Sequence, residues 1–254
     1  MDSILSEKHR VVRRSVRRFS ERELRPIAKE IDHEARFPWE VVEKMGRLGY
    51  FGIQVPKELG GADLDSLSYA IIIEEISRVC ASLGLCVTVH NSVAVYPILA
   101  FGSEEQKAEW VPPLARGEKI GAFCLTEPNA GSDATGIEST AIKDGNSYVV
   151  NANKVFVTNG GVADTCLIFV QTNPGADRKE MSVVVAERGT TGFVVGDLED
   201  LCGMRANPVS SIRLYDCRVP AKNLLGKEGQ GLRIGLTALD TGRIGIAAQS
   251  AGIG

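Results

Sequence analysis

Phe123-Cys124-Leu125-Thr126-Glu127-Pro128-Asn129-Ala130-Gly131-Ser132-Asp133 joins an apolar strand to a loop of small residues and hydroxyls. Pro128 fixes one φ, Gly131 permits a tight turn, and Thr126 and Ser132 offer short hydroxyls with little freedom to lose. Such a loop brings backbone N–H groups and hydroxyls close to a flat, polar-edged ligand. The texture of the chain differs on its two sides.

Before the loop, residues 1 to about 118 read as helices. Ser20 and Glu23 predict a capping box, followed by Leu24, Ile27, Ala28 and Ile31 on one helical face. Further helices are predicted over Trp39–Leu48, Leu67–Ala81 and Leu83–Leu99. Ser103 to Gln106 predict a second capping box, on a helix that ends before Pro112-Pro113. After Gly117, short runs rich in β-branched residues recur: 121–125, 139–143, 147–150, 155–158, 165–171, 181–186, 193–197 and 211–215. Turn signals such as Asp144-Gly145 and Asn159-Gly160-Gly161 separate them. An antiparallel β-sandwich or barrel of about 100 residues, ending at Val219-Pro220, is expected. Gly226 to Gly231 reads as a hinge rather than a dinucleotide fingerprint, because no βαβ unit surrounds it. Leu232, Leu236 and Leu239 then restart helical periodicity. The fold class is α+β, with segregated domains over 1–118, 119–220 and 226–254.

With 44% hydrophobic and 24% charged residues in 254, the chain has the composition of a globular protein with a real core. A net charge of −3 argues against sequence-independent nucleic-acid binding. Arg10, Arg13, Arg14, Arg17 and Arg18 alternate with apolar residues at helical spacing and read as a solvated helix face; nearby Asp2, Glu7 and Glu21 argue against a mitochondrial presequence. Six scattered cysteines without a C-x-x-C pair read as buried, reduced thiols, and the three histidines lack metal-ligand spacing, so no metal site is expected. No membrane span is expected either.

Taken with Lys154-Val155-Phe156-Val157-Thr158-Asn159 and Leu239-Asp240-Thr241-Gly242-Arg243-Ile244, the loop resembles the flavin-dependent acyl-CoA dehydrogenase family, and the resemblance runs through essentially the whole chain. It implies FAD as cofactor, with Phe123, Cys124, Leu125, Thr126, Glu127, Pro128, Asn129, Ala130, Gly131 and Ser132 along the flavin ring and Thr126 on its pyrimidine edge. It places Phe156, Val157 and Thr158 near N5, with Phe156 standing where the family has Trp. Asn129 stands where the family more often has Gly, and its tolerance of left-handed φ is expected to preserve the turn. Ser132, Asp240 and Arg243 are implied as acyl-CoA contacts, though Asp240 and Arg243 at i and i+3 are equally a simple surface ion pair.

The implied reaction is α,β-dehydrogenation of an acyl-CoA thioester, with electrons passed to an electron-transfer flavoprotein. No residue is assigned as the base. Gly242 stands where some members carry a Glu, and Glu127 is expected to serve loop structure. The resemblance further implies that the chain stops inside the first helix of a truncated C-terminal bundle, that the complete protein is a homotetramer, and that it is cytoplasmic, or in the mitochondrial matrix if eukaryotic. Other readings are an acyl-CoA oxidase-like member and a catalytically silent binding subunit.

Overall fold

The computed structural model describes residues 5–175 and 180–254. In the helical region α1 (Glu7–Phe19) starts at Ser6, whose Oγ accepts from His9 N. The helix then runs unbroken through a π-helical turn, Ser20–Leu24. Ser20 therefore caps nothing, and its buried hydroxyl has no protein partner. Phe19 and Leu24 are both buried, so the chain continues helically to keep them on the core side. Next come α2 (Ala28–His33), α3 (Trp39–Arg47), and α4 (Ser66–Ser77), which is capped by Asp65 through Ser68 N.

Arg10, Arg14, Arg17 and Arg18 are exposed, as a solvated face requires, but one edge of that face is engaged. Arg13 and Arg17 reach across to Glu74 and Glu75 of α4, and the Glu75 carboxylate is 1% exposed between Arg13, Arg17 and Arg78. The amphipathic spacing is real, but the polar edge of α1 lies against a buried acid on the neighbouring helix.

The run α5 (Ala81–Val89), a π turn at His90–Val95, and α6 (Tyr96–Phe101) forms one continuous apolar segment. Among the described residues this 21-residue segment is long and apolar enough by composition to cross a bilayer, with an 18-residue window of mean hydropathy 1.5, but 67% of that window is buried inside the fold, as in a core helix. The capping box at Ser103 is formed. It opens α7 (Glu104–Ala115), which contains Pro112 and Pro113 instead of stopping before them. The missing N–H groups fall in the last turn, and Arg116 N still donates to Pro112 O.

One eight-stranded sheet follows: β1 (Gly121–Cys124), β2 (Thr140–Asp144), β3 (Ser147–Val157), β4 (Thr165–Gln171), β5 (Met181–Glu187), β6 (Phe193–Leu198), β7 (Ser210–Pro220) and β8 (Leu224–Leu225). Its order is β6-β7-β3-β2-β4-β5-β8, with β1 beside β4. The sheet is mixed rather than antiparallel throughout, since β1 runs parallel to β4 and Thr140 of β2 pairs in parallel with Gln171. The two runs expected at 147–150 and 155–158 are one long strand. Register shifts on its β7 edge, at Val150/Ala152 and Lys154/Val157, interrupt the alternation without ending the strand.

After left-handed turns at Gly226 and Gly229, α8 (Gly231–Ile253) begins. Its buried stripe is Gly231, Gly235, Ala238, Gly242, Gly245, Gln249 and Gly252, a 4-3 repeat of small residues, with Ile234 beside it. The leucines that carry the sequence periodicity flank that stripe, about 100° round the helix, with Leu232, Leu236 and Leu239 exposed. A Cβ at Gly245 would collide with Tyr69 Oη and Thr88, and one at Gly252 with the Glu74 carbonyl. These glycines let α8 lie directly on α4 and α5.

The helical and sheet layers meet at Gly121. Its N–H donates to His90 Nδ1 at 3.1 Å, while His90 Nε2–H donates to Leu114 O at 3.1 Å. The Gly121 carbonyl accepts from Asn159 Nδ2, which also donates to Cys86 O. Burial pushes His90 down from 6.5 to about 4. Because the folded value lies below the unfolded one, the stabilisation is complete above pH 6.5 and is lost as pH falls towards 4. The loss amounts to about 3 kcal/mol. Denaturant titrations of His90→Gln, compared with wild type between pH 7 and 4, should show a smaller decline of stability with acid. Glu75→Ala removes the buried acid shared by Arg13, Arg17 and Arg78, which keep solvent or other partners, and should lower stability by about 1–3 kcal/mol in the same titrations at pH 7.

Candidate functional site

The loop after β1 opens on a two-residue turn at Pro128-Asn129, closed by Glu127 N to Ala130 O (3.0 Å) and Ala130 N to Glu127 O (3.1 Å). Neither Asn129 nor Gly131 has a left-handed φ, and a Cβ at Gly131 would meet nothing within 4 Å. The turn therefore rests on the reciprocal bonds and not on glycine-like φ at either position. Gly131 leaves the rim of a cleft open.

That cleft, of about 820 Å³, lies between the sheet region, α5 and α8. Strand alternation decides which loop residues face it. Phe123, Leu125 and Thr126 line it, whereas Cys124 turns into the sheet core. Gly131 and Ser132 complete that wall, and Phe156 and Thr158 form the next. Thr88, Ser92 and Val93 close it from the helical side; Leu236, Leu239, Gly242, Arg243 and Ile246 of α8 close the last side.

Eight of the residues singled out in the sequence thus converge: Phe123, Leu125, Thr126, Gly131, Ser132, Phe156, Thr158 and Arg243. The others lie elsewhere. Val157 joins the sheet core and Ala130 an adjoining cluster. Pro128 and Asn129 border a separate cleft of about 460 Å³ beside Tyr215. Asp240 stands at the surface, ion-paired with Arg243.

Phe156 is the conformational outlier of the site. On β3 the inward positions are Tyr148, Val150, Ala152 and Lys154; the bulge then skips to Val157. The skip holds Phe156 at φ +56° and leaves its ring 65% exposed over the cleft. A non-glycine residue at such φ is strained by roughly 1–2 kcal/mol, and exposed aromatic surface offsets nothing. The bulge imposes the strain, and the exposed ring it presents suits a flat partner stacked on it.

The hydroxyls of Thr126, Ser132 and Thr158 have no hydrogen-bond partner among the described residues. Thr88 Oγ1 is buried and unpartnered too, while Ser92 Oγ donates to Thr88 O at 2.6 Å. Arg243 is the one ionisable side chain among the described lining residues, and no carboxylate or imidazole is among them. Free hydroxyls, one exposed aromatic face and this volume fit a tricyclic, polar-edged ring with room for a second, apolar-tailed molecule.

Glu127 is turned away from the cleft. It is buried against Lys154 Nζ at 2.6 Å and accepts from Glu138 N and Ser139 N at 2.6 and 3.1 Å. Burial works against its ionisation, but the Lys154, Ser139 and Glu138 hydrogen bonds outweigh it, so its carboxyl sits below the usual value. Burial lowers Lys154, with Glu127 opposing. Sequence reasoning missed Lys154, Thr88 and Ser92 as residues that shape or line the site. The signal for Lys154 was available, since period-two counting from Tyr148 places it on the core face.

Residues 6–118 match the model of the acyl-CoA dehydrogenase N-terminal domain, and residues 122–217 that of the middle domain. The short-chain specific acyl-CoA dehydrogenase of Clostridium acetobutylicum is 47% identical over 100% of this chain and 67% of its own length. The butyryl-CoA dehydrogenase structure from Megasphaera elsdenii superposes with a TM-score of 0.95 at 36% identity, over 99% of this chain and 67% of that one. A glutaryl-CoA dehydrogenase of Mycobacterium smegmatis, solved in complex with FADH2, gives 0.92 at 31% identity, over 99% and 64%. With both domain models matched across most of its length, the chain belongs to the acyl-CoA dehydrogenase family. It spans 60 to 67% of the length of the curated relatives it matches.

Phe156→Gly relieves the left-handed strain and removes the exposed ring. Its thermal midpoint should equal or exceed that of wild type, while affinity for a flat aromatic ligand such as FAD, followed by fluorescence quenching, should fall at least tenfold.

Proposed function

We propose that this chain binds FAD and an acyl-CoA thioester in the cleft and serves α,β-dehydrogenation to the trans-2-enoyl-CoA. The observation that carries the reading is the convergence of three unpartnered hydroxyls, on Thr126, Ser132 and Thr158, with the exposed Phe156 ring around one opening. Bound there, FAD supplies a hydride acceptor, the chemistry that side chains lack.

The chain's own contribution is binding and orientation. Thr126 and Thr158 donate to the polar edges of the ring, and Phe156 and Phe123 offer apolar contact. Ser132 and Arg243, at the rim, suit a polar and anionic acyl carrier. Val93, Leu239 and Ile246 line the apolar part of the cleft, where an acyl chain would displace water. With no carboxylate or imidazole among the described lining residues, these walls hold the thioester without removing its α-proton. That feature also favours a second reading, a flavin- and acyl-CoA-binding subunit silent on its own.

The proposal extends to the domain division 1–118, 119–220 and 226–254, an electron-transfer flavoprotein as acceptor, a homotetrameric assembly of the complete protein, and a cytoplasmic site of action, or the mitochondrial matrix in a eukaryote. It rests on the family relationship and on the names of relatives such as the mitochondrial short-chain enzyme of Mus musculus.

The test is the anaerobic visible spectrum of the FAD-loaded chain before and after butyryl-CoA. Butyryl-CoA should shift the flavin bands by binding, with little bleaching. A Cβ at Gly242 meets Ser92 Oγ and Val93 Cγ1 at 3.5 Å, ordinary contact, so a side chain fits there. Gly242→Glu places a carboxylate in the cleft and should speed bleaching by about 10²-fold, the lower range of general-base contributions. A wild-type chain that leaves FAD unbound refutes the proposal. FAD binding with a butyryl-CoA band shift but no bleaching in either protein supports the silent subunit, and FAD binding with no butyryl-CoA response at all refutes the acyl-CoA part of the proposal.

A further inference from the structure

The Lys154–Glu127 pair lies behind the cleft and faces away from it. Its geometry addresses two consecutive residues of the cleft wall, Leu125 and Thr126, and Glu127 behind them. Lys154 Nζ donates to Leu125 O at 3.1 Å, Val155 N donates to Thr126 O at 3.0 Å, and Lys154 Nζ again bonds Glu127 Oε1 at 2.6 Å. Residues 125, 126 and 127 are thus each tied to β3 at 154–155. The two Glu127 oxygens carry the tie on to Glu138 N and Ser139 N, at the entry to β2.

Immediately downstream of Lys154 the strand bulges, and Phe156 and Thr158 emerge on the cleft. The ammonium therefore sits where the two walls of the cleft share a support, with Thr126 held through its main chain while its hydroxyl stays free. Stability alone does not account for such a pair. Burying two charges brings a desolvation penalty that their attraction only offsets, and apolar replacements of similar volume are often neutral or better. A buried ion pair is worth keeping where it fixes one register among several.

We propose that Lys154 is a positioning residue: through Leu125 O and the Glu127 carboxylate it sets the distance between the Thr126 wall and the Phe156–Thr158 wall, and so the fit of the flat ring between them. The inference deepens the FAD reading above and rests on it.

The test is a double-mutant cycle on FAD affinity, measured by fluorescence quenching well below each variant's thermal midpoint. In the wild-type background Thr126→Val should weaken FAD several-fold, and Lys154→Met should weaken it at least tenfold. In the Lys154→Met background Thr126→Val should have almost no further effect, because the hydroxyl is no longer in place to lose. Glu127→Gln keeps the shape and one acceptor for Lys154 Nζ and Ser139 N, but removes the charge that holds the ammonium and turns an NH2 towards Glu138 N–H; it should fold where Lys154→Met does not, and reproduce the same loss of the Thr126 effect.

Two outcomes overturn the proposal while leaving the FAD reading intact: affinity unchanged in both pair variants, or losses that multiply independently with Thr126→Val, as a merely structural role requires. Wild-type chain that fails to bind FAD overturns the function reading and this inference with it.

Discussion

The site depends on how the first strand of the sheet is clamped to the helices. Gly121 has both main-chain groups committed to side chains, its N–H to His90 and its carbonyl to Asn159. His90 passes the tie to the end of α7, and Asn159 passes it to α5. A Cβ at Gly121 would meet that of Ala94 at 2.6 Å, so only glycine brings β1 this close to the helical layer. Every bond in this clamp is dry, which gives it its direction and its sensitivity to acid. Once β1 is fixed there, parallel to β4, its alternation sends Phe123 towards α5 and α8 and leaves Cys124 behind, and the loop that follows adds Leu125 and Thr126 to the same wall.

The far side of the cleft is set by the glycine stripe of α8. A helix with ordinary side chains at positions 245 and 252 could not rest on Tyr69, Thr88 and the Glu74 carbonyl. Close approach carries Leu236, Leu239, Gly242 and Arg243 over the opening between the layers. Small residues on the buried face thus do for this helix what large ones do elsewhere. Here close backbone packing replaces side-chain interdigitation.

Much of the architecture was legible in the sequence because it rests on local chemistry. Ser103 and Gln106 form the expected capping box, 165–171 is a strand over its full length, and the change of texture after Gly117 marks where helices give way to the sheet. The stretch after β1 was legible as a loop, and Glu127 as an acid that serves its structure. What escaped was non-local. Nothing next to Arg13 indicates a buried acid 62 positions away on another helix. Ser20 resembles a cap, and only the packing of Phe19 and Leu24 shows that the helix continues. The leucine period of α8 points to the wrong face, because apolar periodicity cannot reveal a glycine-lined one. The bulge at Phe156, which turns a sheet-core position outward, depends on the register with β7 and has no signature in β3 alone.

The central claim is that one ligand, flat and polar-edged, is held between the loop after β1, the bulge of β3 and α8. Backbone amide chemical-shift mapping of the isotopically labelled chain, titrated with FAD, tests it most directly. The account predicts that perturbed amides cluster at 123–134 and 156–158, with weaker changes at 88–93 and 236–247, while a separate groove of about 870 Å³, lined by Trp39, Gly49, Gly60, Gly61 and Arg116, stays silent. Perturbations centred on that groove, or on the separate cleft beside Tyr215, would contradict it.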